Sequence, residues 1–251
     1  MKALILAAGY AVRLQPLTLH TSKSLLVVGG RKIIDRIIDK ITALPEISQI
    51  HIITNARFFS AFREWLGQSP HKDMISVIND GTLNNDTRLG AIKDMELAIK
   101  KKAIADDLLV VAGDNLFDFE LAKFLDFAVA KPDGVSVALY DIEDLENAKN
   151  FGVVKADNNN IVVDFEEKPQ DPKSTLISTG IYYFPKEKLP FIKEYVKMQN
   201  KLDAPGNCIS WLSKAGRVYG FVFTEDWYDI GSTESYKRAD REYLKKERKG
   251  S

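Results

Sequence analysis

Residues Ala3-Leu4-Ile5-Leu6-Ala7 form an unbroken apolar run that empties into Ala8-Gly9-Tyr10-Ala11-Val12-Arg13-Leu14, with Lys23 ten residues past Arg13. An apolar run of this length, followed by small residues, predicts a buried strand ending in a tight loop. A loop of that kind leaves backbone N–H groups without partners, and Arg13 and Lys23 set two fixed cations beside them. Outward N–H groups next to cations hold phosphates.

The pattern around this strand predicts the fold. Ile33, Ile34, Ile37, Ile38 and Ile41 recur at helical spacing within 31–43, and Phe58, Phe62, Trp65 and Leu66 do the same within 58–66. Further helices are expected over 89–102 and 120–130, and short apolar strands over 50–54, 74–78 and 108–112. Continuous strands alternating with helices predict an α/β fold built on a doubly wound, mostly parallel sheet. After residue 131 the pattern changes. Strands at 135–140, 152–155, 161–165 and 177–184 are joined by short connections, with Asp157-Asn158-Asn159-Asn160 as a turn. Helices follow at 186–197, 207–214 and 233–249. The expected organisation is one domain, with a Rossmann-like phosphate-binding part over 1–130, an inserted antiparallel lobe over 131–232 and a C-terminal helix over 233–249.

Bulk composition narrows the partners. With 251 residues and 45% apolar content the chain can bury a substantial core. Lys plus Arg and Asp plus Glu balance at 35 each, which gives no reason to expect a nucleic acid or a membrane surface as partner. Cys208 is the single cysteine, so an internal disulfide and a cysteine metal cluster are excluded, in keeping with a cytoplasmic location. The opening apolar run is shorter than the roughly 7–15 residues of a secretion signal's core, and reads as a strand. A homo-oligomer is compatible with all of this.

Acidic residues supply the rest of the chemistry. Val110-Val111-Ala112 runs into Gly113-Asp114-Asn115, placing a carboxylate at the C-terminal end of a buried strand, the edge where open α/β sheets bind ligands. Asp114 also stands where an aspartate commonly caps a loop. Asp229, in Trp227-Tyr228-Asp229-Ile230-Gly231, precedes the last helix and has the same two readings. Two carboxylates with few other protein ligands suit Mg²⁺, which keeps waters and leans on substrate phosphates. In Glu166-Glu167-Lys168-Pro169 a strand ends in acids and a lysine, and the proline fixes where Lys168 points. A charged sheet edge with Lys168 as a solvated gatekeeper is the other reading.

Taken in order, the Arg13 and Lys23 loop, Gly113-Asp114, Phe151-Gly152-Val153-Val154, Glu166-Glu167-Lys168-Pro169, Ser178-Thr179-Gly180-Ile181-Tyr182 and Trp227-Tyr228-Asp229-Ile230-Gly231 resemble the sugar-phosphate nucleotidyltransferase family. Glucose-1-phosphate thymidylyl- and uridylyltransferases are its familiar members, and the resemblance spans about residues 1 to 240. It implies transfer of a nucleotidyl group from an NTP to a sugar 1-phosphate, giving an NDP-sugar and pyrophosphate. It also implies roles. Leu6, Ala7, Ala8, Gly9, Arg13 and Lys23 would hold the triphosphate, and Asn79, Asp80 and Asn85 would face the base. Asp114 and Asp229 would hold Mg²⁺. Gly152, Glu167, Lys168, Thr179 and Gly180 would bind the sugar phosphate.

The implied chemistry needs no general base. A phosphate monoester has its second pKa near 6, so the nucleophile is already ionised at neutral pH. The obstacle is repulsion between two polyanions, which cations and positioning overcome. The residue content fits: His20, His51 and His71 are scattered, and no nucleophile stands beside a base.

Three departures accompany the resemblance. Val12 stands where the family loop usually carries Thr, and Ser22 where Pro precedes the loop lysine. The segment Asn79-Asp80-Gly81 with Asn84-Asn85 replaces the usual glycine-rich base-reading pattern and is similar to cytidylyltransferases acting on phosphocholine or inositol phosphate. A cytidylyltransferase for a non-sugar phosphate and a non-catalytic nucleotide-sugar-binding relative are therefore the alternatives.

Overall fold

The computed structural model describes residues 1–198 and 202–249. The first half runs β1 (Lys2–Leu6), β2 (Val27–Val28), β3 (Arg31–Lys32), α1 (Ile33–Thr42), β4 (Gln49–Thr54), α2 (Phe59–Gln68), β5 (Ile75–Asn79), α3 (Ala91–Lys102), β6 (Leu108–Ala112), β7 (Asn115–Phe117) and α4 (Leu121–Val129). It continues with β8 (Gly134–Asp141), α5 (Leu145–Ala148), β9 (Gly152–Ala156), β10 (Val162–Glu167), β11 (Leu176–Phe184), α6 (Leu189–Lys197), α7 (Pro205–Ala215), β12 (Arg217–Phe223), β13 (Trp227–Asp229) and α8 (Thr233–Lys249).

The parallel core has the spatial order β5-β4-β1-β6. The chain builds outward from β1 through β4 to β5, then returns to place β6 on the other side. That reversal between β1 and β6 opens a crevice at their carboxyl ends, where doubly wound sheets take ligands. Beyond β6 the same nine-stranded sheet turns antiparallel. β11 pairs β6 and β8, β12 pairs β8 in parallel, and the β9–β10 hairpin joins β11 at Ile177↔Val153.

Alternation along β1 decides the layering. Ala3 and Ile5 face a core with Ile33, Ile37 and Ile41 of α1, Phe62 of α2, Phe124 of α4 and Tyr243 of α8. Leu4 faces the other, with Met95 of α3, Ile192 of α6 and Ile209 of α7. Both faces are covered at the centre of the sheet, so β6 is apolar throughout and β1 is apolar after Lys2, while β4 and β5 carry polar residues such as His51 and Ser76.

Three local expectations shift, and one strand pair was not expected at all. The helix expected from residue 31 starts at Ile33, because Arg31–Lys32 pairs with Val27–Val28 across Gly29 and Gly30, at φ 58° and 80°. The helix expected from 89 starts at Ala91, after Gly90 at φ 86°. The helix at 186–197 becomes a 3₁₀ turn, Lys186–Lys188, that leads into α6. β7 and β13 pair only with each other and are three residues long, too short to show a period in sequence. Among the described residues no helix is long and apolar enough to cross a membrane.

Candidate active site

The loop after β1 is held from behind. Thr54 Oγ1 donates to Ala7 O at 3.1 Å and Asn55 Nδ2 to Ala8 O at 2.9 Å, both buried, while Ala7 N donates to Ile53 O at 2.8 Å. Among the described residues the N–H groups of Ala8, Gly9 and Tyr10 have no acceptor, and Gly9 is exposed. Ala11 takes the left-handed conformation at φ 46°, at a cost of roughly 1–2 kcal/mol for a residue with a Cβ. Thr18 Oγ1 holds its carbonyl at 2.8 Å, and Tyr10 OH pairs with Thr82 Oγ1 at 2.9 Å.

Lys23 opens a 3₁₀ turn and reaches the end of β6, where its Nζ lies 2.6 Å from Asp114 Oδ2. The approach is close because Gly113 has no side chain: a Cβ there would meet Ser24 Oγ at 2.7 Å and Leu6 O at 2.9 Å. Asp229 arrives through β13, where it is the register partner of Asn115, the residue after Asp114. Asn115 is the joint. Its Nδ2 donates to Thr179 O, and its Oδ1 accepts from Trp227 Nε1 at 3.2 Å. The 2%-exposed amide thus ties β11, β7 and β13 together beside both aspartates.

Electrostatics show the convergence. Burial raises the Asp229 carboxyl above the usual carboxylate range, and the Asp114 charge raises it further; Lys23, Arg13 and Lys168 oppose the shift. Burial weakens the charged form of Lys23, but Asp114 and Asp229 outweigh it and raise its pKa. Two repelling carboxylates beside an exposed loop are a donor set that a dication satisfies and an uncharged ligand does not. Among the described residues no cluster of three or more His, Cys, Asp or Glu could hold a metal by protein ligands alone. Arg13 and Asp229 also line a cleft of about 380 Å³, walled by Phe151 and Trp227.

The residues expected to meet the sugar phosphate stand differently. Lys168 sits at φ 50°, its N–H donating to Phe151 O at 2.9 Å, immediately before Pro169. Glu167 is paired in register with Gly152. Thr179 is turned inward: its hydroxyl donates to Ala138 O at 2.9 Å, and the residue is 3% exposed. Gly180 lies at φ 78° within the bulge of β11, against Ala112 Cβ. In the segment after β5, Asn79 Oδ1 accepts from Gly81 N, and Asp80 Oδ1 accepts from Thr82 N and Oγ1. Asn85 opens a 3₁₀ turn capped by Asn84 and accepts from Arg88 through its carbonyl. The side chains of Thr179, Asn79 and Asp80 are therefore engaged in holding their own turns and strands. Sequence reasoning missed Asn115, for which its place after Asp114 was the available signal, and the Arg88–Asp203 pair, for which there was none.

A crevice at a sheet's switch point, rimmed by free N–H groups, cations and two carboxylates, defines a protein that handles nucleoside phosphates. The nucleotidyl transferase family model matches residues 2–246, and the chain belongs to that family. It is 30% identical to the bifunctional protein GlmU of Methanococcus aeolicus over 98% of this chain and 55% of that protein. It is 27% identical to a glucose-1-phosphate adenylyltransferase of Mycoplasma mobile over 98% of this chain and 67% of the relative. A solved candidate glucose-1-phosphate thymidylyltransferase from Bacillus anthracis, in complex with a sucrose, superposes with a TM-score of 0.85 at 26% identity, over 97% of this chain and 95% of that one. The chain spans about half the length of the GlmU relative it matches.

Proposed function

We propose that this chain transfers a nucleotidyl group from an NTP to a sugar 1-phosphate, releasing pyrophosphate and forming an NDP-sugar. One observation carries the reading: Lys23 of the first loop pairs with Asp114 after β6, and the β7–β13 register brings Asp229 opposite Asn115, the neighbour of Asp114, at a cleft that Arg13 also lines. The activities for which the glucose-1-phosphate relatives are named agree with it.

In this reading the N–H groups of Ala8, Gly9 and Tyr10 and the Arg13 guanidinium hold the triphosphate. Lys23, now paired with Asp114, turns to the phosphates as charge builds on the leaving group. Lys168, kept in its left-handed turn, meets the phosphate of the sugar and weakens its repulsion from the NTP. A sugar-phosphate oxygen attacks the α-phosphorus in line, and the bond from that phosphorus to the bridging oxygen breaks, so pyrophosphate departs with the electron pair. Asp114 and Asp229 would hold Mg²⁺, which when bound neutralises phosphate charge. Residues 1–130 serve the nucleotide and 131–232 chiefly the sugar, in the cytoplasm. The test is pyrophosphate release from a panel of NTPs against several sugar 1-phosphates and phosphocholine. Turnover with a sugar 1-phosphate is expected; turnover with phosphocholine alone, or none at all, contradicts the proposal.

A further inference from the structure

Glu167 ends β10 with its side chain 18% exposed, and the space its carboxylate fills is made by two glycines from different elements. A Cβ on Gly152 of β9 would lie 3.1 Å from Glu167 Oε2 and 2.6 Å from Phe165 Cζ. A Cβ on Gly206, the second residue of α7, would overlap Oε2 and lie 2.8 Å from Phe165 Cε1. Neither glycine has a positive φ, so the backbone does not require them. Glycine weakens both a strand and a helix. Room for the Phe165 ring and the Glu167 carboxylate together accounts for both.

That carboxylate is half-buried and short of protein partners. Among the described residues no hydrogen-bond donor reaches it, and Lys168 Nζ stands at 4.0 Å. A half-buried carboxylate that no protein donor reaches is free to accept from a ligand, and neighbouring hydroxyls on a sugar ring supply such donors. The segment leading into α7 is itself anchored. Leu202 O and Asp203 O accept from Ile92 N and Ala91 N at the start of α3, at 3.1 and 3.2 Å. Arg88 grips the Asp203 carboxylate with two bonds, of 2.8 and 3.1 Å. The first turn of α7 is therefore braced against α3 at one end and lies over Glu167 at the other.

We infer that this turn is a wall of the sugar subsite and that Gly206 is the positioning residue that sets where the Glu167 carboxylate sits. The inference rests on the sugar 1-phosphate reading and adds to it an element that carries no recognisable motif. Wild type, Gly206→Ala, Glu167→Asp and the double variant are compared in pyrophosphate-release kinetics, with thermal midpoints alongside. Gly206→Ala is expected to raise the KM for the sugar 1-phosphate about tenfold, the effect of one misplaced charge-assisted hydrogen bond. The KM for NTP stays as in wild type, while the thermal midpoint falls because the added Cβ also crowds the buried Phe165 ring. Aspartate is one methylene shorter and withdraws its carboxylate from the added Cβ, so the double variant shows no greater rise in the sugar KM than Glu167→Asp alone. An unchanged sugar KM, a parallel rise in both KM values, or rises in the sugar KM that multiply in the double variant would overturn the inference. If wild type releases no pyrophosphate from any pair, the functional reading falls separately. Calorimetric titration of the same proteins with glucose 1-phosphate then decides: weaker binding by Gly206→Ala upholds the inference, and equal or no binding by both proteins overturns it.

Discussion

The proposed phosphate end of the site, at Lys23 and Asp114, and its proposed sugar end, at Glu167, are built on opposite plans. At the phosphate end, charges act on one another: Lys23 pairs with Asp114, and Asp229 is repelled by Asp114 and drawn by Lys23, Arg13 and Lys168. At the sugar end, the Glu167 carboxylate is placed by what is missing, the side chains of Gly152 and Gly206. A charged cluster survives small shifts in its scaffold because Coulomb attraction falls off slowly with distance. A slot shaped by van der Waals contact does not, since a few tenths of an ångström decide whether an atom fits. Errors at the two ends should accordingly show different kinetics.

The largest effect is expected at the phosphate end. Asp229→Asn removes one of two repelling carboxylates and should lower transfer by about a thousandfold or more, in the range set by loss of a preorganised charged group. Folding should be intact, because the lost charge is one that burial disfavours. Turnover within tenfold of wild type, by pyrophosphate release, would remove Asp229 from the site.

Lys168→Ala should divide the two ends cleanly. The KM for sugar 1-phosphate is expected to rise about ten- to a hundredfold, the scale of a hydrogen bond to a charged group, and far more than that for NTP. Equal changes in both would place Lys168 on a shared element of the crevice.

A pH experiment probes the nucleotide side away from the phosphates. Burial lifts the Asp94 carboxyl to about 8, with Asp80 and Asp203 adding to the effect, and its Oδ1 has no partner. A carboxyl whose pKa is raised in the folded state stabilises the fold while it is protonated. That contribution is fully present below the unfolded value near 4 and is lost as pH climbs toward 8, by at most about 1.4 kcal/mol for each pH unit in between. Asp94→Asn should raise the thermal midpoint at pH 8 by more than at pH 5. An equal change at both values would mean that Asp94 does not titrate in this range.

The smallest effect is expected at Val12. It is 49% exposed and stands where the family loop carries a hydroxyl, so Val12→Thr should leave activity equal or up to about twofold higher, a surface-scale change. A fall would show that this loop is tuned around valine.

What could be read from the chain divides along the same line. β1, β6 and the helices α1 and α3 were legible because burial on both faces writes long apolar runs and helical periods. Asp114 and Lys168 stood out as candidates because each follows or lies at the end of a strand beside glycine or proline, and Asp229 because it precedes the last helix within Trp227-Tyr228-Asp229-Ile230-Gly231. β7 and β13 were hidden by their three-residue length, although they bring Asp229 to Asp114. Thr179 matched the motif, yet its hydroxyl serves Ala138. Gly206 was illegible for a plainer reason. A space records nothing about its neighbour until the chain has folded around it.

The most direct test of the account is divalent-ion binding at the phosphate end. Manganese bound in the presence of a non-hydrolysable NTP is followed by electron paramagnetic resonance, for wild type and for Asp114→Asn combined with Asp229→Asn. The account predicts protein-bound manganese in the wild-type complex and its loss in the double variant, with both proteins folded. Equal manganese binding by the two would contradict it.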